Sequence, residues 1–160
     1  MARTEDAPPA PELTERRHDA IAIAAAGFHR AIAERLIEGA DDRLAASLHA
    51  GDRPVHWVPG AYELPLAAKA LAESGDVAAV IAVGAVVRGQ TAHFDYICQA
   101  VALGLSRVSL DTGVPCAFGV LTCDTVEQAM ARSGGEVGNA GEAAADAAVS
   151  LINLIGAASG

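Results

Sequence analysis

The sequence predicts an α/β three-layer sandwich: a four-stranded parallel sheet with helices on both faces. Three observations carry that expectation. Short apolar runs rich in Val, Ile and Ala alternate with amphipathic stretches at helical spacing, four times along the chain. The runs lack polar alternation, as expected of strands buried on both faces. Gly or Pro punctuates the junctions. Strands alternating with helices demand right-handed crossovers and a parallel sheet. A chain of 160 residues fits one such domain and can bury a real core.

The elements follow in order. Residues 1–18 are polar and carry Pro8, Pro9 and Pro11, so they read as an extended or disordered arm. The single domain is expected over 19–160. Residues 21–26 are a short apolar strand closed by Gly27-Phe28-His29. From Arg30 to about Ala50, Ile32, Leu36, Ile37, Ala40, Leu44 and Leu48 form one face of a helix that Gly51 ends. Residues 55–58 are a second strand, stopped by Pro59-Gly60. A helix from about Tyr62 to Ser74 follows, with Pro65 tolerable near its first turn.

Residues 77–87 form the longest apolar run and the third strand. The next helix carries Phe94, Ile97, Val101, Leu105 and Val108 on one face and runs to about Asp111. The fourth strand is expected over 114–121. Thr125, with Gln128 three residues later, makes a capping box for a short helix through about Arg132. Ser133-Gly134-Gly135 breaks it. Asn139, followed by Glu142, opens the last helix, which carries Val149, Ile152 and Ile155 on one face.

Composition narrows the function. A net charge of −9 offers no basic patch for nucleic acid. No apolar run approaches the roughly 18 residues needed to span a bilayer, and the charged N-terminal stretch has no apolar core of a secretory signal. Cys98, Cys116 and Cys123 are odd in number and lack metal-ligand spacing. Buried free thiols in a reducing cytoplasm fit them better than catalysis or a disulfide.

Every loop that follows a strand lands on one edge of a parallel sheet, and ligands sit at that edge. The stretch 84–96, Gly-Ala-Val-Val-Arg-Gly-Gln-Thr-Ala-His-Phe-Asp-Tyr, is the richest of these loops. It reads as the end of a strand, a Gly-bearing loop and the start of a helix. Backbone N–H groups of Gln90 and Thr91 would aim at the helix N-terminus, where an anion is the natural guest. His93 falls in the first turn beside that guest, and imidazole can move protons near neutral pH.

Four segments carry a resemblance. They are Val-Pro-Gly-Ala-Tyr-Glu-Leu-Pro (58–65), the stretch 84–96, Phe-Gly-Val-Leu-Thr (118–122) and Glu-Gln-Ala-Met-Ala-Arg-Ser-Gly (127–134). In that order they resemble lumazine synthases, over about residues 20–154. The resemblance implies a flavodoxin-like sheet and a condensation without metal or organic cofactor. Two small molecules, one phosphorylated, would be its substrates: 5-amino-6-ribitylaminouracil and 3,4-dihydroxy-2-butanone 4-phosphate. The product would be 6,7-dimethyl-8-ribityllumazine, with phosphate and water released through imine formation, phosphate elimination, ring closure and dehydration. Every step moves protons.

The resemblance also implies roles, each beside a plainer reading. His93 would be the proton shuttle; otherwise it is a helix-start histidine. Gly89, Gln90 and Thr91 would hold phosphate, or form an ordinary turn. Arg132 would supply the counter-charge to a neighbouring subunit's phosphate site; otherwise it is a solvated Arg at a helix end. Phe28 would lie against the pyrimidine ring rather than pack in the core. Ala61, Tyr62 and Glu63 would meet the ribityl chain and ring, with Glu63 accepting hydroxyl hydrogen bonds; alone, Glu63 is a first-turn acid. Ala85, Val86 and Val87 would offer backbone to the ring edge. Phe118 would cover the ring from the adjacent subunit, or be strand core. His18, His29, His49 and His56 read as surface or packing residues.

Two positions depart from the family pattern. Glu136 and Ala140 stand where Lys is usual. The loss at 140 leaves Arg132 as the only cation of that segment and weakens the expected grip on the pyrimidine. Two other functions therefore stand beside the enzyme. One is a catalytically weakened shell or lumazine- or flavin-binding protein of the same fold. The other is a generic flavodoxin-like nucleotide binder. The resemblance further implies a homopentamer with sites between adjacent subunits. By the same resemblance, the short turn 133–138, without the insertion typical of members that stop at pentamers, implies closure into a sixty-subunit shell. The N-terminal arm is expected to add a strand to a neighbour's sheet edge.

Overall fold

The computed structural model describes residues 10–14 and 19–160. Most of the expected N-terminal arm, with His18, lies outside the described residues. Its described part docks on the chain's own domain: Leu13 is buried, its N–H donates to the Ser47 carbonyl, and Asn153 bonds both Glu12 and Thr14.

The elements run β1 (Ala20–Ala26), α1 (Arg30–Ala46), β2 (Val55–Val58), a 3-10 turn (Ala61–Glu63), α2 (Leu64–Glu73), β3 (Val77–Val87), α3 (His93–Thr112), β4 (Cys116–Cys123), α4 (Val126–Ala131), β5 (Ser133–Gly135), β6 (Gly138–Asn139) and α5 (Ala140–Ala158). The main sheet has the order β2-β1-β3-β4, and every pair in it is parallel. The expected α/β architecture is therefore what the chain forms.

Side-chain alternation sends each inner strand to two cores, which is why these strands read as unbroken apolar runs. Ile21, Ile23 and Ala25 of β1, with Ile81 and Val83 of β3, pack under α1 and α5 against Leu36, Leu44 and Val149. Ala24 and Ala26, with Val80 and Ala82, pack under α2 and α3 against Leu64, Val101 and Leu105. Gly84 leaves room for β1 beside it: a Cβ there would sit 2.7 Å from the Ala26 methyl.

Several boundaries differ from expectation. Helix α1 stops at Ala46, where Ser47 turns back to bond the Leu44 carbonyl and Leu48 adopts φ 68°. Leu48 prolongs the helical spacing in the sequence but is exposed. Strand β4 begins at Cys116, two residues later than expected, because Pro115 has no N–H to give the ladder; its carbonyl still accepts from Val80. The expected helix from Tyr62 divides into a 3-10 turn and α2, with Pro65 in the first turn of α2. The Gly-rich break after α4 is a two-stranded antiparallel hairpin, β5–β6.

The caps form largely as the sequence suggests. Thr125 accepts from the Gln128 N–H, and the Gln128 side chain returns to the Asp124 N–H. Asn139 accepts from the Gly141 N–H at 2.8 Å and donates to the Arg35 carbonyl. Arg35 in turn donates to the Ser133 carbonyl. Helix α1 thereby fixes the hairpin that follows Arg132.

Candidate active site

The C-terminal edge of the sheet carries one large cavity, of about 600 Å³. Four segments wall it: Phe28 and His29 after β1, residues 59–63 after β2, Ala85–Val87 at the end of β3, and His93 with Ile97 in the first turns of α3. Eight of the residues singled out from the sequence meet here: Phe28, Ala61, Tyr62, Glu63, Ala85, Val86, Val87 and His93.

Backbone bonds set the wall around Phe28. Gly27 N–H donates to the Val58 carbonyl at 2.8 Å, and Phe28 N–H to the Pro59 carbonyl at 3.1 Å. These bonds hold the β1–α1 turn against the end of β2 and leave the Phe28 ring 70% exposed. A bare aromatic face beside a cavity suits a planar guest, since offset stacking rewards ring contact beyond buried area. Glu63 reaches back so that its Oε2 accepts the Gly60 N–H at 3.0 Å. That bond orients the carboxylate at the mouth of the cavity.

The end of β3 supplies a polar edge. β1 pairs with β3 only as far as Val83, whereas β4 pairs with it through Val87. The β1-facing edge of residues 85–87 thus leaves the ladder and lines the cavity instead. Its amide groups are the donors and acceptors with which a heterocycle's edge can be read.

His93 opens α3. Its N–H donates to the Thr91 hydroxyl at 3.3 Å, so Thr91 ties the loop to the first helical residue. Gly89, Gln90 and Thr91 are exposed and stand at the helix N-terminus, outside the cavity wall. Arg88 fastens this loop. Its Nε donates to Asp124 at 2.7 Å, its Nη1 lies 3.3 Å from Asp95, and its guanidinium sits 4.3 Å above the Phe94 ring. The Asp124 hydrogen bond is the main cause that raises the Arg88 pKa.

Two residues singled out from the sequence lie elsewhere in the single chain. Phe118 is 45% exposed and lines a separate groove with Leu105, Leu110 and Cys116 along α3. Arg132 ends α4, where its Nη1 donates to the Gln128 carbonyl at 3.1 Å. Four wall residues were not singled out: His29, Pro59, Gly60 and Ile97. His29 carried a usable signal, since it follows Gly27-Phe28 directly at a strand's end. His49 is the packing residue expected, buried and 2.8 Å from the Asp19 carbonyl.

The thiols stand apart from this chemistry. Cys98, Cys116 and Cys123 are free, and none lines the cavity. Burial pushes the Cys116 pKa up to about 11 and also raises those of Cys98 and Cys123. Thiolate is thereby disfavoured at all three. Among the described residues no cluster of His, Cys, Asp or Glu has the geometry of a metal site, and no helix is long and apolar enough to cross a membrane.

Residues 19–156 match the family model for 6,7-dimethyl-8-ribityllumazine synthase. The chain is 49% identical over 136 residues to the 6,7-dimethyl-8-ribityllumazine synthase of Coxiella burnetii strain RSA 493, covering 84% of this chain and 90% of that one. The enzyme of the same name from strain Dugway 5J108-111 is 48% identical over the same length and coverage.

Proposed function

The chain belongs to the 6,7-dimethyl-8-ribityllumazine synthase family, and from that premise we propose that it condenses 5-amino-6-ribitylaminouracil with 3,4-dihydroxy-2-butanone 4-phosphate. The products are 6,7-dimethyl-8-ribityllumazine, phosphate and water. The observation that carries this reading is a single cavity walled by a bare aromatic ring, an oriented carboxylate, an unladdered strand edge and an imidazole.

Each group has a task in the reaction. The pyrimidine stacks on Phe28, and its polar edge bonds the backbone of Ala85, Val86 and Val87. Ala61, Tyr62 and Glu63 meet the ribityl chain, with the Glu63 carboxylate accepting from its hydroxyls. Gly89, Gln90 and Thr91 hold the phosphate at the α3 N-terminus, where N–H groups and the helix dipole favour an anion. The 5-amino group attacks the ketone carbonyl, and water leaves as the imine forms. Loss of phosphate breaks the C–O bond beside it, and the second amine closes the ring before the final dehydration. His93 carries protons between these groups. Holding two reactive molecules in register supplies much of the rest.

Arg132 and Phe118 act in a neighbour's site in this account, which makes the working unit a homo-oligomer. A pentamer, closing into a sixty-subunit shell, is the form we propose. Exposed Leu66, Leu103, Leu110 and Phe118 along α2, α3 and β4 support such an interface, because a monomer leaves that surface uncovered. The three free thiols suit the reducing cytoplasm, where we place the reaction.

The test is direct. Purified protein is incubated with both substrates while lumazine absorbance and free phosphate are followed, and light scattering in moderate salt gives the particle size. Lumazine and phosphate should appear together from particles of pentamer size or larger. Binding of lumazine or flavin without turnover would instead favour the weakened shell protein, and tight flavin binding by a monomer the generic nucleotide binder.

A further inference from the structure

The proposed chemistry leaves one wall residue with an ionisable side chain unused. His29 faces the same cavity as His93 but enters it from the β1–α1 turn. Its φ of 57° puts it in the left-handed region, as one of two such non-glycine residues among those described. A side chain there carries some strain that the surrounding fold must hold. Helix capping does not explain it, because the His29 side chain makes no capping bond. Only its backbone carbonyl serves the helix, accepting from the N–H groups of Ile32 and Ala33. Glycine would give that carbonyl equally well and with less strain.

What the side chain does contact is Phe28. The two ring centroids lie 5.2 Å apart with planes at 85°, an edge-to-face pair. Backbone bonds from Gly27 and Phe28 fix the turn, yet the Phe28 ring itself is mostly bare. An exposed aromatic ring with no packed neighbour samples several rotamers, and ordering it on binding costs affinity. The imidazole is the ring that the structure sets against it.

We propose that His29 is a positioning residue for the planar heteroaromatic substrate: its imidazole holds the Phe28 ring in the orientation on which that substrate stacks. The inference rests on the reading of this cavity as the pyrimidine subsite. It predicts a selective effect, because the proposed phosphate contacts are at Gly89, Gln90 and Thr91, outside the cavity wall that holds Phe28. It also predicts that binding and stability move in opposite directions when the strained side chain is removed.

The experiment compares H29G, H29N and H29F with the unaltered protein. It reads the affinity for 5-amino-6-ribitylaminouracil alone, the KM of each substrate and the melting temperature. H29G relieves the left-handed strain and should melt at or above the parent temperature. It should bind the pyrimidine about three- to tenfold more weakly, the scale of one edge-to-face contact, with the KM of the phosphorylated substrate unchanged. H29N tolerates the left-handed turn but lacks an aromatic edge, and should show the same loss. H29F restores the edge and should recover most of the affinity. Parent-like pyrimidine affinity in both H29G and H29N would overturn the proposal, as would equal weakening for both substrates. A parent protein that binds no pyrimidine would instead remove the reading of the cavity, and His29's role with it.

Discussion

Arg88 Nε donates to the Asp124 carboxylate at 2.7 Å, and that contact ties the loop after β3 to the loop after β4. The Arg88 N–H adds a second tie by donating to the Cys123 carbonyl at 2.9 Å. The guanidinium thus stands between the proposed phosphate loop and the segment leading to Arg132. Arg88→Ala should loosen residues 89–91 and raise the KM for the phosphorylated substrate more than it lowers kcat. Exposed ion pairs are weak, so the rise should be roughly two- to fivefold. Steady-state kinetics on both substrates checks this, and a change confined to the pyrimidine would place Arg88 elsewhere in the mechanism.

His93→Ala should lower turnover and leave the particle size unchanged. His93 lines the cavity from the first residue of α3, where its side chain is exposed and supports no core. A positioned acid–base group contributes about 10²–10⁴-fold, and amine–ketone condensation proceeds slowly unaided, so a loss near the lower end is expected. Full activity in the variant would remove His93 from proton transfer.

The segment after α4 tests the departures at Glu136 and Ala140. Ala140 begins α5, next to the Asn139 cap. Ala140→Lys should restore a cation there and tighten pyrimidine binding by about tenfold, the lower end of what one charge-assisted hydrogen bond contributes. Isothermal titration measures it. An unchanged affinity would mean that residue 140 does not reach a neighbour's pyrimidine.

Much of this arrangement was legible in the sequence, for physical reasons that differ by element. Strand β3 was read to the residue because burial on both faces leaves an unbroken apolar run bounded by Asp76 and Arg88. The cavity followed from topology, since a parallel sheet sends every post-strand loop to one edge. Helix α1 was read too long because Leu48 keeps the apolar spacing after the backbone has left the helix. The β5–β6 hairpin was invisible because Ser-Gly-Gly has no side-chain alternation. Arg35 and Asn139 anchor it from elsewhere in the fold. His29 reads as a surface or packing histidine from residue type alone, and only its place after Gly27-Phe28 at the end of a strand points to the cavity edge.

The thiols give a pH-dependent prediction. Burial raises the Cys116 pKa from 9.0 to about 11, so the folded protein keeps its proton where the unfolded chain has lost it. A group whose folded pKa is raised contributes its stability below the unfolded value and loses it as pH climbs to the folded one. Stability should therefore fall between about pH 9 and pH 11, and Cys116→Ala should flatten that decline in urea melts. At pH 8 alkylation of Cys116 should be slow in the native protein and fast in urea; equal rates would show that the thiol is not protected.

In the proposed assembly one subunit's His93 works with its neighbour's Arg132, and co-assembly of two variant chains tests this pairing. His93→Ala and Arg132→Ala chains are co-expressed with different tags, and mixed particles are purified through both. Activity is then read at low phosphorylated-substrate concentration, where Arg132→Ala is most impaired. If the site is shared, about one site in four regains both residues on random mixing in a ring, and the mixed particles should exceed the average of the two pure variants several-fold. Activity equal to that average would contradict the account, because each site would then draw His93 and Arg132 from the same chain.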